Sequence, residues 1–190
     1  MGGVDSVILC QKPRTTVAQV SAWLDRGERK RVADFVQARF IERYFQPAES
    51  LDDREGSGFA IMALCCLVVE SLESFQCGWE TSKNKSTSAF RQFFDRETTF
   101  SVFRGYADEF YTNVRCGIHH QGETTGGWRI WKYGAMFVPA ELRVNAKAFR
   151  TALRASLDNY VESIQNPGAD PALWINCEKK LRAIIANCEK

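Results

Sequence analysis

Histidine is scarce in this chain: the 190 residues hold two, His119 and His120. None of the seven cysteines forms a CxxC pair, so a structural zinc site has almost no ligands to draw on, and neither a metal nor a cofactor is expected. An excess of one charge is also missing. Lys plus Arg number 25 against 23 Asp plus Glu, and a net +2 is too mild for a dedicated nucleic-acid-binding domain. The densest basic group, Arg26, Arg29, Lys30 and Arg31, reads as a solvated helix face partly neutralised by Glu28. Long apolar runs are absent too: the longest, residues 59–69, falls well short of the roughly twenty residues that span a bilayer. The short run Val7-Ile8-Leu9-Cys10 has no basic segment before it and no small-residue cleavage site after it, so a secretory signal is not expected. Five of the cysteines fall at apolar or helical positions, where a thiol behaves as a small hydrophobe. Together these features predict a soluble protein of the reducing cytoplasm, without a membrane partner.

At 45% hydrophobic and 25% charged, the composition suits one compact domain covering 1–190. A helix opens at Thr16, where Thr16-x-x-Gln19 fits a capping box and Val17, Val20, Trp23 and Leu24 follow at helical spacing. Gly27 interrupts it. Residues 28–45 carry Val32, Phe35, Val36, Phe40, Ile41 and Tyr44 on one broad face, and Pro47 is the expected stop. After a polar loop over 49–58, residues 59–75 are apolar all the way round for three turns, the mark of a helix enclosed by others. Glu70 and Glu73 follow directly on that run. They read either as the point where the helix meets water or as carboxylates that orient an active-site cation.

Residues 81–88 are polar and read as a loop, followed by a short helix around 90–94. Phe103, Tyr106, Phe110, Val114 and Ile118 predict a long amphipathic helix over 100–118, with Gly117 and Gly122 as candidate stops. Residues 128–133 and 136–138, rich in β-formers and bounded by glycines, predict a hairpin or extended arm. Exposed Trp128, Trp131 and Tyr133 would make it a protein contact. Helices over 145–165, closed by Asn166-Pro167-Gly168, and over 171–187 complete an all-α bundle with one small β element.

The segment Asn113-Val114-Arg115-Cys116-Gly117-Ile118-His119-His120-Gln121-Gly122-Glu123 gathers both histidines beside an arginine at the end of a helix. Imidazole moves a proton near neutral pH, and a guanidinium grips phosphate oxygens with two prongs. These are the minimum parts for metal-free phosphodiester chemistry. A purely structural reading competes: Arg115 would cap the helix C-terminus and the histidines would bond a nearby loop. In an unbroken helix Arg115 and His119 share a face, and His120 becomes the partner only where the helix unwinds near Gly117.

An arginine followed after four residues by a histidine, at the end of a long helix in a bundle, resembles the HEPN superfamily (higher-eukaryote and prokaryote nucleotide-binding domains). The resemblance rests on Arg115 and His120 and on the apolar helix upstream. It covers a core of about 57–164, flanked by N-terminal helices within 16–46 and the C-terminal helix over 171–187. It implies a HEPN-like bundle and metal-independent RNA cleavage, with Arg115 and His120 catalytic. His119, Asn113, Gln121 and Glu123 become substrate-binding candidates. It also implies a homodimer that brings two such motifs together, and a toxin or phage-defence role with RNA, nucleotide or an antitoxin as partner. The residue after the arginine is commonly polar in catalytic members and is Cys116 here, which points to the alternative of a non-catalytic module binding nucleotide, RNA or protein.

Overall fold

The computed structural model describes residues 3–166, 168 and 170–188; Pro167, part of the expected stop after residue 165, lies outside the described residues. The chain is mostly helical, with short strands in small sheets. β1 (Ile8–Gln11) and β2 (Arg14–Thr16) pair antiparallel where the sequence predicts no strand. Three or four paired residues are too few for a period of two to stand out. α1 (Val17–Asp25) opens on the expected capping box, Thr16 Oγ1 accepting from Gln19 N and Gln19 Oε1 from Thr16 N. α2 (Arg29–Phe40) runs through a π-helical stretch, Ile41–Phe45, into α3 (Gln46–Glu49). Pro47 therefore does not stop the helix: it sits in the first turn of α3, where a missing N–H breaks no ladder bond.

α4 (Gly58–Gln76) is the apolar helix that the sequence predicts. By length and composition it could cross a membrane, yet 67% of its most apolar stretch is buried inside the protein. α5 (Ser86–Arg96) starts well before the expected short helix and takes in Ser86, Thr87 and Ser88 from the predicted loop. Residues 100–118 are helical but not one α-helix. A 3₁₀ stretch (Thr98–Tyr106) leads to α6 (Ala107–Glu109), a π stretch (Phe110–Cys116) and α7 (Gly117–Gln121). The break falls at Tyr106, whose φ of −120° and ψ of 6° leave the helical region.

β3 (Arg129–Trp131) and β4 (Phe137–Val138) do not form the expected hairpin. β5 (Arg143–Asn145) lies between them, parallel to β3 and antiparallel to β4. α8 (Ala146–Gln165) and α9 (Pro171–Asn187) follow, and the Asp170 side chain caps α9 by accepting from Ala172 N at 2.9 Å.

Contacts divide the chain into two compact units. One comprises residues through Arg43, Ser74–Thr81 and Leu157 onward. Its core includes Val20, Val32, Val36, Phe40, Phe75, Ile164 and Leu181. Its hairpin is tied to the π stretch after α2 by Glu42, whose Oε2 accepts from Gln11 N and Lys12 N, both at 2.8 Å.

The other unit, Tyr44–Glu73 and Ser82–Ser156, is built around phenylalanine. Phe94 touches Phe90, Phe93, Phe100, Phe103, Phe110 and Phe149, with ring centroids 5.0 to 6.3 Å apart. Trp128 is buried and lies flat on Phe137, 5.3 Å away, so it is part of this core and not of an exposed contact. The Asp52 carboxylate receives both prongs of Arg150. Lys132 Nζ donates to the carbonyls of Asp52 and Arg54 and to Ser57 Oγ, fixing the loop before α4. Because Phe94 is wholly enclosed, Phe94→Ala should lower the unfolding free energy by about 3–5 kcal/mol. Urea denaturation followed by circular dichroism measures this.

Candidate functional site

Glu70 stands on the buried side of α4, 8% exposed, where an unpaired carboxylate would be costly. Arg115 answers it from the π stretch: Nε donates to Oε1 at 2.6 Å and Nη2 to Oε2 at 3.4 Å. Ser86, at the start of α5, donates from Oγ to Glu70 Oε2 at 3.1 Å. The guanidinium carbon also stands 5.8 Å from the centroid of the Tyr111 ring, one turn back. Glu70 engages the guanidinium side-on, through Nε and Nη2. Nη1 and the second Nη2 hydrogen meet no recorded acceptor among the described residues, and the Arg115 side chain keeps 18% of its surface.

The Tyr111 phenol is pushed above its ordinary value, first by its hydrogen bond with the Cys116 side chain and then by burial. Thr87 also bonds it and acts the other way. Cys116, the departure from the polar residue common in catalytic HEPN members, thus stands beside the Tyr111 phenol.

α7 stays wound through Gln121, and the unwinding near Gly117 that would carry His120 onto Arg115 does not occur. Arg115 and His119, four residues apart, lie on one side of the helix. Both imidazoles are exposed in its last turn. His119 is held below the ordinary 6.5, first by partial burial and then by the positive charge of Arg115, with Glu70 opposing. It is therefore mostly neutral at pH 7 and able to accept a proton.

Gly122, at φ 70°, caps the helix in the left-handed region and reverses the chain. The returning loop crosses Gly117 so closely that a β-carbon there would lie 2.5 Å from the Glu123 carbonyl oxygen. Asn113 holds the same loop: its carbonyl accepts from Thr125 N at 3.0 Å and its Oδ1 from Thr125 Oγ1 at 2.8 Å. Glu123 Oε1 accepts from Thr124 N at 2.9 Å, and Gln121 is exposed at the helix end. The structure thus gathers Arg115, His119 and His120 on one helix end, gives Asn113 and Glu123 bonds within the loop, and leaves Gln121 at the rim.

Sequence reasoning does not single out Tyr111, Ser86 and Thr87. Tyr111 could have been found from its four-residue spacing to Arg115. The hydroxyls carried no signal, because a polar segment reads as loop. Among the described residues no group of three or more His, Cys, Asp or Glu could hold a metal ion. All seven cysteines are free thiols. Compared with family models, curated proteins and solved structures, the chain matches none.

Two expectations follow. In an NMR titration the His119 ring protons should show a midpoint below 6.5, moved up by Arg115→Gln and down by Glu70→Gln. Unchanged midpoints in both variants would mean the three charges do not communicate. Gly117→Ala should destabilise the protein by about 1–3 kcal/mol, because the loop must yield to the new methyl group; thermal melting measures the loss.

Proposed function

We propose that the Arg115 cluster cleaves RNA without a metal, as a HEPN-like endoribonuclease. One observation carries the reading: a guanidinium anchored side-on by Glu70, whose Nη1 is not taken up by that carboxylate, shares one side of a wound helix end with the exposed His119, and His120 is exposed next to it in the same turn. In the reaction the ribose 2′-hydroxyl attacks the adjacent phosphorus and the bond from phosphorus to the 5′-oxygen breaks. The products are a 2′,3′-cyclic phosphate and a free 5′-hydroxyl. His120 transfers the proton at one of these oxygens, and Arg115 offsets the negative charge that builds on the phosphorane. His119, kept neutral, serves as a substrate contact or the alternate base. One imidazole does not easily act as both acid and base in a turnover, which favours a homodimer that supplies the second. Toxin or phage-defence action on RNA, with an antitoxin or other protein partner, and residence in the cytoplasm where seven free thiols persist complete the reading.

A non-catalytic module that binds nucleotide, RNA or protein is the second reading. The ion pair that already occupies much of the Arg115 guanidinium favours it.

Cleavage of a labelled RNA in excess EDTA should fall about 10²- to 10⁴-fold in His120→Ala, and by a similar factor in Arg115→Ala. Full activity in either variant removes the mechanism. An equal loss in His119→Ala makes both imidazoles reactive, while retained turnover with a raised KM leaves His119 as a contact.

A further inference from the structure

Trp131 is 50% exposed and Tyr133 69%, unlike the aromatic side chains that fill the core of the same unit. They border a cavity of about 220 Å³ completed by Phe59, Ile130 and Lys132. The Arg143 guanidinium lies over the Trp131 ring, 5.8 Å from its centroid, and so stiffens the indole from one side. Exposed, rigid aromatic faces beside guanidinium groups are the means by which proteins hold unpaired bases, since every base has a π-face and duplex bases are already stacked.

The position of these rings relative to Arg115 is fixed by α4. A β-carbon on Gly58, the first residue of that helix, would lie 3.1 Å from Ile130 Cγ2 and 3.6 Å from Lys132 Cγ, so the ring-bearing segment packs on the start of α4. Glu70, which holds Arg115, stands twelve residues further along the same helix. At about 1.5 Å per residue the separation is roughly 18 Å along the axis. Twelve residues also turn about 120° past three full turns, so a strand joining the two sites runs partly around α4 and needs at least about five nucleotides at the 3.4 Å stacked rise.

We propose that Trp131 and Tyr133 form a base-stacking subsite for single-stranded RNA, set off along α4 from the Arg115 cluster. The proposal rests on the ribonuclease reading and names the form of its substrate. Arg129 and Arg143 flank the rings, whereas the exposed carboxylates of the neighbouring loop, Asp53 and Glu55, disfavour a phosphate there. Stacking rather than charge is therefore the source of affinity at this end.

The test uses fluorescein-labelled 2′-O-methyl oligoribonucleotides of two to ten residues, which bind without being cleaved, and the full-length protein. Anisotropy should show affinity rising steeply once the strand can span both sites, with a hairpin duplex binding more weakly. Trp131→Ala and Tyr133→Ala should each weaken binding of a ten-residue strand roughly five- to hundredfold. The slope of affinity against salt should not change, and Trp131→Phe should restore most of the loss. Wild-type affinity in both alanine variants, or a preference for duplex, overturns the subsite. So does a dimer that the alanine variants split, by light scattering, with RNA binding untouched, because the rings then belong to a protein contact. Cleavage of ordinary RNA, scored in parallel, separates the two ideas. Ring-dependent binding without cleavage supports the subsite and removes the nuclease, while cleavage and binding that ignore both rings do the reverse.

Discussion

A carboxylate placed on the buried side of the most apolar helix in the chain constrains everything around it. Glu70 cannot be left unpaired there, and removing one partner of such a pair costs several kcal/mol because the other charge is stranded. Arg115 is the cation that answers, so the helical segment carrying it must lie against α4 with its last turn at a fixed height. The imidazoles, the reversal at Gly122 and the loop folded over Gly117 inherit their positions from that contact. Glu73 repeats the arrangement one turn on. It is wholly buried, burial pushes its carboxyl up, and Arg96 from α5 pairs with it. Two ion pairs thus hold two separate helical segments against one apolar rod, and the one at Glu70 stands near the two exposed imidazoles.

The aromatic core explains how so irregular a stretch as 98–121 keeps its shape. Its winding changes between 3₁₀, α and π, and the backbone ladder alone would not favour that. Phe100, Phe103 and Phe110 each present a ring to the same cluster, and Trp128 and Phe137 close it from the strand side. Side-chain packing here decides where the backbone goes. The order of the small sheet follows from the same demand, since Phe137 and Trp128 must stack on one another while β5 fills the gap between their strands.

Much of this was legible in the sequence, and what was not has physical causes. α4 announced itself by three turns with no polar face and α8 by its apolar seam, and Thr16 with Gln19 marked the start of α1 because both halves of a capping box lie within four residues. The winding changes between Phe100 and Ile118 were invisible, since apolar residues three and four apart fit 3₁₀, α and π turns alike. Strand pairs made of two to four residues carry too little pattern to be seen, and a parallel partner such as β5 lies too far along the chain to be inferred from a turn. At the site, Arg115 and the two histidines stood out by residue type. The burial of Glu70 did not, because the same residue at the end of an apolar run also suits an emerging helix. Trp128 and Trp131 differ by three positions and have opposite fates, which only the packing of Phe137 distinguishes.

The π stretch at Phe110–Cys116 has a consequence for how this protein can vary over generations. Such a widening holds one more amino acid than an ordinary turn requires, and it persists because the residues on either side are pinned, here Phe110 in the aromatic core and Arg115 on Glu70. A lineage that dropped a codon between those anchors would rewind the segment to an ordinary α turn with the side chains after it nearly in place, whereas a codon lost within α7, which has no spare residue, would turn every later side chain by about 100°. Length is therefore spare before Gly117 and strict from there to His120.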